Sequence, residues 1–202
     1  MDRMNALARQ VPTWVVYLAG TLPFLWLAWN TVQGDLGPDP VKTVERTLGT
    51  LGLQFLLASL AITPVRRLGL NLIRFRRALG LLSFFYIALH LTAWLWLDMG
   101  LRWSEVTADL WKRPYIILGM IGFLALLPLA LTSSNWAIRR MGPKVWQRLH
   151  RLAYLAVVAG VLHLLLLVKI WTLEELTYAT LAACLLAVRL FPKGGRRGQA
   201  VA

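Results

Sequence analysis

Residues 146–170 read WQRLHRLAYLAVVAGVLHLLLLVKI. From Leu152 to Val168 no Asp, Glu, Lys or Arg interrupts the run, and its length approaches the ~20 residues that carry a helix across a hydrocarbon core. His163 lies inside it and His150 stands at its basic edge. Working outward, the chain holds further runs of the same kind, so the predicted spans are Pro12–Val32, Thr47–Val65, Ala78–Leu97, Pro114–Leu131, Leu152–Ile170 and Leu176–Phe191. The fold class expected is an all-α membrane protein, a bundle of six transmembrane helices. Composition agrees: 58% hydrophobic residues and 15% charged residues over 202 positions, with a mean hydropathy of +0.59, cannot be arranged as one soluble core with a polar surface.

The first run follows a short basic head with Arg3 and Arg9. It is too long for the apolar part of a signal peptide and lacks a clear small-x-small cleavage site, so a retained helix is expected. Pro64, Pro114 and Pro192 fall at run ends, whereas Pro23 and Pro128 fall within runs and are expected to kink or break them. Residues 1–192 are read as one transmembrane domain and 193–202 as a disordered basic tail.

Charge sets the orientation. A net charge of +13 would suit nucleic acid if gathered on one water-facing element, but here the cations lie in short loops between apolar runs, so no nucleic acid is expected. Arg3, Arg9, Arg66, Arg67, Arg74, Arg76, Arg77, Arg139, Arg140, Lys144, Arg148, Arg151, Arg189, Lys193, Arg196 and Arg197 collect on one side. The other side has Lys42, Arg46, Arg102, Lys112, Arg113 and Lys169 with every acid from Asp35 to Glu175. The basic side stays cytoplasmic, which places both termini there. The same cations are open to a topogenic role alone or to contact with membrane lipids.

The lone cysteine, Cys184, excludes an internal disulfide or thiolate cluster. A metal site would have to be built from histidine. The three histidines, His90, His150 and His163, all lie in or beside apolar runs, where an ionisable group is a functional candidate. Each is a candidate ligand for a metal or haem iron, the alternative being a hydrogen-bonded packing role. Counting along the two outward-running helices puts His90 and His163 at matching depth in the outer leaflet. His150 lies about 20 Å nearer the cytoplasm and roughly 140° around the helix, so it could face the same partner only if the fifth helix bends, with Gly160 available for a bend. Sliding the third helix by the same amount brings Arg77 opposite His150, so a second histidine pair cannot be completed.

The stretch Leu131-Thr132-Ser133, Arg139-Arg140-Met141-Gly142, Trp146-Gln147-Arg148-Leu149-His150-Arg151-Leu152-Ala153-Tyr154 and His163 resembles the MsrQ (YedZ) family. The likeness extends to Ala61-Ile62-Thr63-Pro64 with Arg66-Arg67 and to Arg76-Arg77-Ala78-Leu79-Gly80 leading to His90. That family is the haem-binding membrane subunit of the periplasmic methionine sulfoxide reductase system, within a ferric reductase-like superfamily that includes the NADPH oxidases. The resemblance implies a multi-pass protein of the bacterial inner membrane that carries electrons through haem b. The donor would be a cytoplasmic flavin reductase or quinol, and the acceptor a periplasmic molybdopterin-dependent reductase that repairs oxidised methionine. Some family members are described with FMN. The superfamily usually pairs two histidines on each of two helices, and this chain supplies one on the third, so one haem b is expected and a second stays open, with His150 as its lone histidine. The oxidases carry a nicotinamide and flavin domain after the sixth helix, whereas this chain ends at Ala202 with no such motif. Its donor is therefore expected to be separate.

Arg77 and Arg151 are candidates for haem propionates or a flavin phosphate, and equally for positive-inside anchoring. Gly49, Gly52, Gly119 and Gly122 suit close helix or porphyrin approach, or packing alone. The ten tryptophans read as interfacial belts rather than an electron relay. Rival readings are a cytochrome b subunit of a quinol-linked respiratory complex, a ferric reductase, and a small transporter or assembly factor without haem, the last lacking an intramembrane carboxylate for a proton relay.

Overall fold

The computed structural model describes residues 2–190. These form α1 (Asp2–Gln10), α2 (Thr13–Gln33), α3 (Pro40–Arg67), α4 (Arg76–Ala93), α5 (Trp103–Lys112), α6 (Pro114–Leu131), α7 (Asn135–Met141), α8 (Pro143–Leu149), α9 (Leu152–Leu167) and α10 (Leu173–Leu190), with no strand among the described residues. A 3-10 turn, Ile73–Phe75, precedes α4 and a π turn, Trp94–Asp98, follows it. Five segments are long and apolar enough to cross a membrane: Thr13–Gln33, Pro40–Arg67, Ile73–Asp98, Pro114–Leu131 and Pro143–Leu167. The molecule is an all-helical, multi-pass membrane protein. The sixth predicted run is helical as α10, but Glu174, Glu175 and Arg189 in its end turns keep it outside those five segments. The basic tail, and Phe191 and Pro192 before it, lie outside the described residues.

Polar end turns move several boundaries away from the apolar runs. The helix predicted from Thr47 begins at Pro40, because the Asp39 carboxylate accepts the Lys42 N–H at 3.1 Å and proline stands at the first helical position. The basic head before the first span is itself helical, as α1. The fifth span stops at Leu167, with Val168 extended.

Neither internal proline ends its helix: Pro23 lies within α2 and Pro128 in the last turn of α6. At Pro23 a neighbouring side chain repairs the ladder. The Tyr86 hydroxyl donates to the Gly20 carbonyl at 2.6 Å and accepts the Phe24 N–H at 3.1 Å. It thus stands between two groups that an unbroken helix would join directly. Tyr86 is fully buried, stacked on Phe55 with ring centres 5.4 Å apart.

The bundle is organised as two helix pairs. α3 lies along α4 and α6 along α9, and the joins between the pairs are slimmer. Leu53, Leu57 and Leu60 of α3, Leu126 and Leu129 of α6, and Val157 and Val161 of α9 form the principal core, closed by Ala182 of α10. A second cluster, Leu27, Leu48, Tyr86 and Ala93, fixes α2 to the first pair. Leu18, Leu22, Leu25, Leu124 and Leu166 remain exposed, as expected where lipid rather than water surrounds the helices.

Candidate functional site

Two histidines, one from each helix pair, face each other inside the bundle. His90 lies in the last turn of α4 and His163 in α9. Their ring centres are 6.1 Å apart with planes at 79°. The Nδ1 of His90 is 2.9 Å from the Glu45 carbonyl oxygen, and that of His163 is 2.7 Å from the Tyr115 carbonyl oxygen. A carbonyl can only accept, so each Nδ1 carries the proton and each Nε2 keeps its lone pair. Neither Nε2 has a hydrogen-bond partner among the described residues.

Both histidines are seated in the same way. Each carbonyl that receives a ring proton lies one helical turn before a glycine, Glu45 before Gly49 on α3 and Tyr115 before Gly119 on α6. A Cβ on Gly49 would stand 3.2 Å from Nδ1 of His90, and one on Gly119 would stand 3.0 Å from Nδ1 of His163. Glycine therefore lets each ring lie against the neighbouring helix and reach its carbonyl. Gly52 and Gly122, one turn further, serve helix packing instead: a Cβ on Gly52 would meet Ile87 and one on Gly122 would meet the Ala156 carbonyl. Sequence reasoning left the four glycines undecided between cofactor approach and packing, and did not find the two carbonyls. The repeated Gly-x-x-Gly ahead of each histidine helix was the available signal.

The predicted pairing by depth is what the structure brings together, and His150 lies elsewhere. The helix breaks at His150-Arg151, where α8 ends and α9 begins, while Gly160 sits inside an unbroken helix. His150 therefore belongs to a different helical segment from His163. Its ring stacks on Trp146 at 3.8 Å, and its Nε2 lies 3.3 Å from the Thr132 hydroxyl. Trp146 in turn donates to the Thr132 carbonyl at 3.0 Å, so the joint is tied to the end of α6. Arg77 is in the first turn of α4 and donates to the Asn135 side-chain oxygen at 2.9 Å. Arg151 is exposed at the joint. At 1.5 Å per helical residue both cations stand on the order of 20 Å from the histidine pair.

The pair suits a metal whose remaining ligands come with it. Among the described residues no cluster of three or more His, Cys, Asp or Glu side chains could hold a bare ion, and a structural zinc would need about four such ligands. With metal–nitrogen bonds of roughly 2 Å, ring centres 6.1 Å apart would leave room for one metal ion held by Nε2 of both His90 and His163.

Residues 46–161 match the family described as ferric reductase like transmembrane component. The chain is 46% identical, over 178 residues, to the protein-methionine-sulfoxide reductase heme-binding subunit MsrQ of Brucella ovis, and equally to that of Brucella canis; the match covers 88% of this chain and 80% of each relative. The Brucella melitensis subunit matches to the same extent. The chain belongs to the MsrQ family.

Placed on this MsrQ-family chain, the ferric reductase match runs from Arg46, beside the carbonyl that holds His90, and takes in both His90 and His150. It ends at Val161, just before His163. The second seat, built from Gly119 and Tyr115 on α6, is therefore within the match, and its histidine follows directly.

Proposed function

We propose that this MsrQ-family protein is the haem-binding subunit of a methionine-sulfoxide reductase system in the bacterial inner membrane, residues 1–192 forming one haem domain. It carries electrons from the cytoplasmic side to a periplasmic molybdopterin-dependent reductase. The observation that carries the reading is the opposed pair His90 and His163, 6.1 Å apart with both Nδ1 atoms committed to carbonyls. Two free Nε2 lone pairs, and no further donor cluster among the described residues, fit haem b, whose porphyrin brings its own four nitrogens. Bound there, haem supplies a reversible one-electron carrier.

The chain's own residues do the rest. Glu45 and Tyr115 fix each imidazole's tautomer and orientation, which also makes the free nitrogen a better ligand. Leu53 and Val161 belong to the core between the two helix pairs, an apolar surrounding that limits water. Six spans with both termini cytoplasmic fit the loop charges, and α10 fits as the sixth. Its charged groups lie at its ends and are partnered, Glu175 by Arg46 at 3.0 Å and by the Thr172 hydroxyl, and Arg189 by the Leu60 carbonyl and the Tyr154 hydroxyl at 2.7 Å each. In this orientation the histidine pair lies toward the periplasm. His150, with Arg77 and Arg151, lies toward the cytoplasm, where a flavin reductase or quinol delivers electrons and where the cations would favour FMN or the propionates of a second haem.

A reduced-minus-oxidised spectrum with haem quantification tests the first half. A full chain that stays colourless when produced with abundant haem would sink it. The second half is tested in vesicles, with a flavin reductase and NAD(P)H on the cytoplasmic side and an oxidised periplasmic methionine sulfoxide reductase opposite. Haem-loaded protein that reduces ferric iron but not that reductase would point to a ferric reductase instead.

A further inference from the structure

α1 is mounted with its polar side inward and its apolar side outward. The Asn5 side chain donates to the Gly69 carbonyl at 2.9 Å and accepts the Asn71 N–H at 2.8 Å, which fastens the helix to the loop between α3 and α4. Arg74, just before α4, donates to the Arg9 carbonyl at the helix C-terminus, where a cation also meets the negative end of the helix dipole. Met4, Leu7 and Val11 recur at the spacing of one helical stripe, and they are 52%, 62% and 39% exposed. In water this arrangement would waste the apolar face, since docking the helix the other way round would bury it.

Two further observations say what covers that stripe. Val11 and the extended Pro12 join α1 to α2, whose Trp14, Leu18 and Leu22 are exposed. The apolar stripe of α1 therefore leads, within two residues, into a helix whose outer face lipid must already cover. Exposed cations lie on α1 and at its end, Arg3 and Arg9 on the helix itself and Arg74 against its C-terminal carbonyl.

We propose that α1 is an in-plane anchor that seats Met4, Leu7 and Val11 at the headgroup–acyl boundary and sets its arginines on acidic phospholipid headgroups. The leaflet follows from the cytoplasmic N-terminus proposed above, while the seat on lipid does not depend on it. Such a helix gains from both apolar burial and attraction to anionic lipid, with each cation near the surface adding to the second.

The test uses the full chain carrying Cys184→Ser, with a nitroxide attached at Leu7→Cys, at Met4→Cys or, as the opposite-face control, at Ala6→Cys. It is reconstituted in vesicles of phosphatidylcholine alone or mixed with phosphatidylglycerol. In the mixed vesicles, labels at positions 4 and 7 should be several-fold more accessible to oxygen than to a water-soluble nickel chelate, and the label at position 6 should show the reverse. Arg3→Gln with Arg9→Gln should remove the difference between the two lipid compositions. Chelate access at 4 and 7 equal to that at 6 in both vesicles overturns the anchor, as does shielding from both probes, which would mean a protein occupant. Equal burial in neutral vesicles overturns the acidic-lipid assignment.

Discussion

The ring of His163 lies where a side chain on residue 119 would begin: a Cβ there would stand 3.0 Å from Nδ1 and 3.2 Å from Cε1. Gly49 stands in the same relation to His90, slightly less closely at 3.2 Å. Gly119→Leu should therefore displace the ring and lower haem content at least several-fold while the helices persist. Gly49→Ala, which asks the ring to yield only slightly, should keep haem and shift its midpoint potential. Circular dichroism beside haem quantification checks both, and normal haem in Gly119→Leu would refute the seating argument.

His90→Ala and His163→Ala should each abolish the low-spin haem spectrum or reduce it severely. His150→Ala should leave it largely intact, because His150 is held at the Trp146 and Thr132 joint. Haem content equal to the parent in both of the first two variants would remove the assignment.

Tyr86→Phe deletes the hydroxyl that connects Gly20 to Phe24 beside Pro23. Leaving both backbone groups unsatisfied in a buried setting should cost about 1–3 kcal/mol. Thermal unfolding in detergent should show the loss with helix content and haem spectrum unchanged, since the ring itself remains to stack on Phe55. An unaltered unfolding temperature would mean that the turn closes its own hydrogen bond.

Reporter fusions after Arg77, Met141 and Phe191 should report cytoplasm, and those near Asp39, Asp109 and Glu174 should report periplasm. A periplasmic signal after Met141 would invert the bundle and, with it, the direction of electron flow.

Much of this was legible in the sequence because lipid imposes a simple code. Uninterrupted apolar runs marked the spans, and helical rise alone matched His90 with His163 and set His150 apart. Boundaries made of polar turns were not legible. The first turns of α3 carry Lys42, Thr43, Glu45 and Arg46, and α1 is too short and polar to announce itself. Gly160 was available for a bend because its backbone is the freest, but the break lies at His150-Arg151, where Trp146 and Thr132 hold the turn. The carbonyls of Glu45 and Tyr115 carry no signature in residue type, because any residue at those positions offers the same oxygen. Only the register of two packed helices selects them.

The division of the bundle into two helix pairs has a consequence for biogenesis. Each pair is a consecutive hairpin that can enter the bilayer as it emerges from the ribosome, and each arrives with one histidine already oriented by its own partner helix, His90 by α3 and His163 by α6. Neither hairpin alone can grip a two-ligand metal centre. With haem held as proposed, the centre would form only once both hairpins are in the membrane, so cofactor capture would double as a checkpoint on assembly, and a chain that had inserted only its first half would have no two-ligand site to offer.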